Sequence, residues 1–143
     1  MAIKYYTEEW LAALKKAMEA DKEYQKKAKD LTYVSQYYIL DCPGGTDRCA
    51  EWTLEKGVLT DYKLEEKPAP SDWRTMPFDS QKFFMRATAS YPTYVRLNKG
   101  EITAIQVLMR KMYKIHGPMP KIMAKLGGLN ALTAIMGTIP VEY

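Results

Sequence analysis

A chain of 143 residues with 47% hydrophobic residues and a net charge of +4 fits a single domain, residues 1–143, with core enough to need neither disulfide nor metal. Its lysines are scattered rather than massed, which argues against a nucleic-acid surface, and one histidine with two cysteines is too few for a structural zinc site. The N-terminal stretch has no apolar core of signal-peptide length and the C-terminal apolar stretch falls short of the about 20 residues that span a bilayer, so the expectation is a soluble, cytoplasmic protein.

Taken in chain order, Thr7 is placed to cap a helix carrying Trp10, Leu11, Leu14, Ala17 and Met18 on one side, with Glu8 and Glu9 in its first turn. Asp21 restarts the helix and brings Tyr24 and Ala28 toward Leu31. The run L-T-Y-V-S-Q-Y-Y-I-L is β-branched and aromatic and stops at the turn chemistry of D-C-P-G-G-T-D. Alternation from Arg48 to Glu55 puts Ala50, Trp52 and Leu54 on one face. After a Lys56-Gly57 turn, Val58, Thr60, Tyr62 and Leu64 face one way. A polar, proline-bearing connection leads to W-R-T-M-P-F, read as a fourth strand ending at Pro77. Asp79 or Ser80 then caps a helix with Phe83, Phe84 and Ala87, and a second helical stretch around Tyr94 to Leu97 closes at Gly100. Arg110 to His116 supplies a fifth strand, with Tyr113 and Ile115 on one face. The class expected is α+β: a five-stranded, largely antiparallel sheet with helices covering one face.

From Leu126 to Val141 no residue is charged. A surface helix needs only one apolar stripe, so this segment must be buried, cover a cavity or meet lipid. Met119, Ile122, Met123 and Leu126 follow helical spacing, which suits a plain core as well as a ligand wall. Leu129, Leu132, Met136 and Ile139 form a second stripe, offset after Gly127-Gly128, where a bend or break is expected and a hinged apolar lid would follow.

No catalytic constellation stands out. Cys42 and Cys49 flank P-G-G-T-D-R at the ends of a hairpin loop, where they could meet as a disulfide or stay as free thiols. Nothing in the sequence sets His116 beside either one. Carboxylates fall on wet faces, and no P-loop or dinucleotide fingerprint calls for a cofactor. Arg110, Lys111, Lys114, Lys121 and Lys125 fit a basic rim or a solvated face.

The run Gly100 to Pro118 lies without a gap on G-K-L-D-P-x-x-A-F-M-x-G-K-L-K-I-K-G-D, a stretch of the sterol-carrier-protein lipid-transfer family, which it resembles. Gly100, Ile102, Leu108, Met109, Tyr113, Lys114, Ile115 and Gly117 sit at matching or similar positions, while Ala104, Lys111 and Pro118 depart from it. The opening T-E-E-W-L-A-A-L and the stretch D-W-R-T-M-P-F-D-S-Q-K-F-F are similar to family elements in coarse order. The resemblance implies non-catalytic binding and transfer of a fatty acid, an acyl-CoA or a sterol-like lipid in an apolar tunnel between sheet and helices. The wall would draw on Trp52, Tyr62, Phe83, Phe84, Leu108, Met109, Tyr113, Ile115, Met119, Ile122, Met123, Leu126, Leu129, Leu132 and Met136. The expected partners are a lipid or acyl-chain ligand and, transiently, an anionic membrane surface. The alternative is an interaction or regulatory module whose cavity is filled by Trp52, Tyr62, Phe83 and Phe84.

Overall fold

The computed structural model describes residues 2–143. A short β1 (Ile3–Lys4) precedes α1 (Glu8–Ala20), which opens where the Thr7 hydroxyl accepts the Trp10 N–H at 3.3 Å. That satisfies one of the helix's orphan donors. Trp10, Leu11, Leu14 and Met18 are fully buried. Asp21 caps α2 (Lys22–Lys27) in the same way, accepting from Tyr24 N at 3.0 Å.

β2 (Tyr33–Cys42), β3 (Thr46–Glu55), β4 (Val58–Pro68), β5 (Met85–Ser90) and β6 (Lys114–His116) form one sheet in the order β4-β3-β2-β5-β6. It is mixed: β2 and β5 run parallel and the other neighbours antiparallel. The hairpin between β3 and β4 turns on Lys56 and Gly57, both at positive φ, as a two-residue hairpin turn requires. A Cβ at Gly57 would lie 2.7 Å from the Ala28 carbonyl oxygen, so the position accepts only glycine. Ala50, Trp52 and Leu54 point into the core as the alternation predicts.

Four expectations are corrected. A bulge opposite Thr53 and Leu54 resets the alternation in β4, burying Leu59 and leaving Thr60 exposed, so Val58 and Thr60 do not continue the face of Tyr62 and Leu64. The stretch W-R-T-M-P-F is not a strand: Asp72–Thr75 is a 3-10 turn, part of the crossing from the edge strand β4 over the outer face to β5, and a crossing chain cannot pair with the strands below it. Asp79 closes only a local turn, accepting from Gln81 N and Lys82 N at 3.0 and 3.2 Å. Met85–Ser90 is extended because both of its edges find partners, β2 and β6, and two ladders outweigh local helix preference. The fifth strand is only Lys114–His116.

Helices α3 (Tyr91–Asn98), α4 (Ala104–Met109), α5 (Met119–Met123) and α6 (Leu126–Met136) follow. α4 opens on a reciprocal capping box between Thr103 and Gln106. The break in the C-terminal segment falls at Ala124 and Lys125, before the glycine pair rather than at it. Gly128 lies inside α6, where an added Cβ would sit 3.0 Å from the Leu31 side chain, so it serves close packing rather than a hinge. α6 packs against α1, α2, α3 and α4. β7 (Val141–Glu142) returns to pair with β1. Among the described residues no helix is long and apolar enough to cross a membrane.

Candidate functional site

Strand alternation turns Tyr37 of β2, Trp52 of β3, Met85 and Ala87 of β5 and Ile115 of β6 toward the helices. Facing them are Tyr94 and Leu97 of α3, Ala104, Val107 and Leu108 of α4, and Ile122 of α5. α6 contributes Leu129, Leu132, Thr133 and Met136, and Tyr6 and Tyr113 complete the ring around a cavity of about 100 Å³. The wall contains no Asp, Glu, Lys, Arg or His.

Its polar atoms are phenols, one indole and one hydroxyl. Burial pushes Tyr37 up to about 12 and drives Tyr6, Tyr94 and Tyr113 well above the usual phenol value, so each stays protonated at neutral pH. Tyr94 Oη donates to the Ala87 carbonyl at 2.9 Å, Tyr37 Oη accepts from the Ser35 hydroxyl at 3.0 Å, and the Thr133 hydroxyl is taken up by the Asn130 carbonyl at 2.9 Å. Tyr113 Oη and Trp52 Nε1 are buried without a partner. The rings of Tyr94 and Tyr113 meet edge-on at 4.7 Å, and those of Tyr37 and Trp52 lie 4.8 Å apart.

Of the wall residues expected from sequence, Trp52, Leu108, Tyr113, Ile115, Ile122, Leu129, Leu132 and Met136 border this cavity. The others lie elsewhere. Tyr62 pairs across from Trp52 at the β4 side of the core, half-buried. Phe84 packs on Tyr33 with ring centroids 4.9 Å apart, and Phe83 is buried outside the main core cluster. Met123 and Leu126 are half-buried at the corner between α5 and α6. Met109 and Met119 stand on the surface, 69% and 38% exposed, because Ala104 and Val107 take the inner side of α4 and Ile122 that of α5. Tyr6, Tyr37, Tyr94, Ala104 and Val107 border the cavity without having been singled out for it. For Tyr37 the signal was its parity with Ile39 in β2.

The exposed apolar residues Ile105, Met109 and Met119 share α4 and α5 or their flanks with exposed Arg110, Lys111 and Lys121. Lys125 is not free to join them: its ammonium donates to the Asp30 carbonyl at 2.7 Å and lies 5.9 Å from the Phe84 ring.

Cys42 and Cys49 do not meet. The register pairs Cys49 with Tyr38 and Cys42 with Thr46, so Cys42 joins the helix-side core and Cys49 the cluster with Tyr38 and Trp73 on the other face. Burial pushes the thiols up to about 11 and about 12. His116 stacks on Phe78 at 5.6 Å across the ladder from Arg86, and burial followed by the Arg86 charge lowers its basicity. Among the described residues no group of three or more His, Cys, Asp or Glu is placed to hold a metal.

No family model matches the chain, and no curated protein matches it in sequence. Solved structures do. A conserved hypothetical protein from Thermus thermophilus, with a provisional sterol-carrier description, superposes with a TM-score of 0.77 at 15% identity, covering 99% of this chain and 93% of its own. A crystal structure of sterol carrier protein 2 superposes at 0.73 with 16% identity, covering 95% and 99%. Palmitated sterol carrier protein 2-like 2 from Aedes aegypti gives 0.50 at 13% identity, covering 95% and 98%. The chain has the sterol carrier protein 2 fold.

Proposed function

On this fold we propose that the protein binds and transfers a hydrophobic ligand, a fatty acid, acyl-CoA or sterol-like lipid, without catalysis of its own. The observation that carries the reading is the cavity wall, which sets sheet against four helices around an internal space and offers no charged side chain. Burying a sixteen-carbon chain is worth on the order of 12 kcal/mol gross at about 0.8 kcal/mol per methylene, so a dry wall suffices even after the ordering costs. The palmitated Aedes aegypti protein of the same fold supports a long chain as cargo.

The space of about 100 Å³ is smaller than the about 300 Å³ at the low end of ligand pockets. Entry of a chain therefore has to part α4, α5 and α6 from the sheet. Two of these helices have little local support, since α5 has five residues and α6 has no side-chain N-cap, so tertiary contacts, with the Lys125 bond to the Asp30 carbonyl among them, hold them. Met85 and Met136 offer walls that adjust their shape. The exposed Ile105, Met109 and Met119 with Arg110, Lys111 and Lys121 form the face we assign to transient contact with an anionic membrane, where cargo would load.

The small volume also favours a second reading, an interaction module with the space closed by Tyr6, Tyr37, Trp52 and Tyr94. Native mass spectrometry after gentle purification, with displacement of a fluorescent fatty acid, separates the two. Co-purifying lipid, and displacement that returns the chain chemically unchanged, is the carrier's result. A ligand-free protein that displaces nothing rejects it.

A further inference from the structure

Where α6 faces the end of α3, the cavity wall is a single layer of side chains. Leu97 and Thr133 border the cavity and also line an open groove of about 420 Å³ on the surface, which continues over Lys99, Thr103, Asn130 and Thr138. The groove between α2 and α6, lined in part by Ala131 and Ile135, shares no residue with the cavity. Thr133 brings the one aliphatic hydroxyl of the cavity wall, which suits the place where that wall meets water. The groove itself has another chemistry: three threonines, two asparagines and Lys99 line it, with no carboxylate. Lys99 is exposed and forms no ion pair among the described residues, its ammonium lying 5.1 Å from the centroid of the Tyr143 ring, while nearby Glu101 lies 3.9 Å from Arg96. An acid cannot carry its charge inside, because no cation borders the cavity and burying an unpaired charge is strongly unfavourable. Its head stops at the entrance. The cavity alone falls short of ordinary ligand sites, whereas cavity and groove together exceed the about 300 Å³ at their low end.

Resting on the carrier reading, we infer that this groove is the cargo's entrance and head-group site: the chain passes between Leu97 and Thr133, and the cargo is a single-chain acid whose carboxylate stays outside beside Lys99. Lys99 is thus a specificity residue that favours the acid over the alcohol of the same length.

The test uses the full chain and two probes of equal carbon number, laurate and 1-dodecanol, each displacing the neutral fluorophore N-phenyl-1-naphthylamine at low salt. Lys99→Glu removes an exposed ion pair and adds repulsion, so the affinity for laurate relative to 1-dodecanol should fall about fivefold. Lys16→Glu, an equal change of charge at an exposed position of α1, should leave that ratio alone. The entrance is read by stopped-flow association of cis-parinarate. Asn130 is exposed and stands about one helical turn before Thr133. Asn130→Trp lays a ring over the groove and should slow association about tenfold without lowering the melting temperature. If the parent binds the probes and either effect is missing, the inference is overturned and the carrier reading stands. A parent that binds 1-dodecanol but not laurate, or a ratio that falls in Lys121→Glu instead, overturns it as well, the latter placing the head at α5. Failure of every probe to bind the parent removes the carrier reading and this inference with it.

Discussion

Leu132→Ala tests whether cargo and cavity coincide. Leu132 is 5% exposed on α6 and borders the space of about 100 Å³. Truncating a buried leucine costs about 3 to 5 kcal/mol, set by the void left behind. Because Leu132 already borders an open space, it has fewer packed neighbours to lose than a leucine enclosed on all sides, and we expect the lower end, about 3 kcal/mol, a large share of the about 5 to 15 kcal/mol typical of a domain. At about 3 °C per kcal/mol, Tm falls by about 10 °C. A chain that fills the space restores the lost contacts, so saturating ligand should raise Tm more in the variant than in the parent. A ligand at a hundred times its Kd supplies about 2.7 kcal/mol, enough to recover most of the loss. Ala104→Leu works in the opposite sense. It adds carbon atoms into the same space from α4, leaves ligand-free stability nearly unchanged and weakens the chain at least tenfold. Thermal scans with and without a fatty acid, beside fluorescent displacement, read both. If the ligand-induced rise in Tm is the same in the parent, Leu132→Ala and Ala104→Leu, the lipid binds elsewhere and the reasoning fails.

Replacing Met109 and Met119 with Asp, or Arg110, Lys111 and Lys121 with Gln, should reduce binding to anionic phosphatidylserine vesicles in co-sedimentation without altering far-UV circular dichroism, and salt should erode the charge-dependent part. Asp47, fully buried, accepts from the Arg74 guanidinium at 2.8 and 2.9 Å, from the Ser71 hydroxyl at 2.7 Å and N–H at 2.9 Å, and from Asp41 N at 3.0 Å. The Arg74 bonds foremost hold its carboxyl well below the usual range. Its folded pKa being depressed, its stabilising share is complete above the unfolded value of about 4 and is lost as pH falls further. Asp47→Asn should therefore cost about 2 kcal/mol at pH 7 in denaturant titrations, and the penalty should shrink below about pH 4. Cys42 and Cys49 should resist a thiol reagent at pH 8 until the protein is unfolded, since burial both hides them and suppresses the thiolate; rapid native labelling of either one would contradict their placement.

Features written in neighbouring residues were legible in the sequence alone. Thr7 and Asp21 cap the helices that follow them, and the Lys56-Gly57 turn needs only its own two residues. The alternation Ala50, Trp52, Leu54 announces its inner face because one side of that strand meets the core along its whole length. Residues 72–90 show what tertiary structure alone decided. The same apolar residues serve a strand, a crossing or a helix, and the choice came from the free edge of β2, which takes β5 as a parallel partner, and from Asp47, distant in sequence, which gathers Ser71 and Arg74. The uncharged segment from Leu126 announced its burial but not its role: Leu132 and Met136 are deeper than Met123, the reverse of a lid beyond a core helix. The cavity wall divides in the same way. Periodicity names the apolar face of each element, whereas which of those faces leave a space between them depends on how α3, α4, α5 and α6 sit over the sheet, a non-local packing outcome that no window of sequence contains.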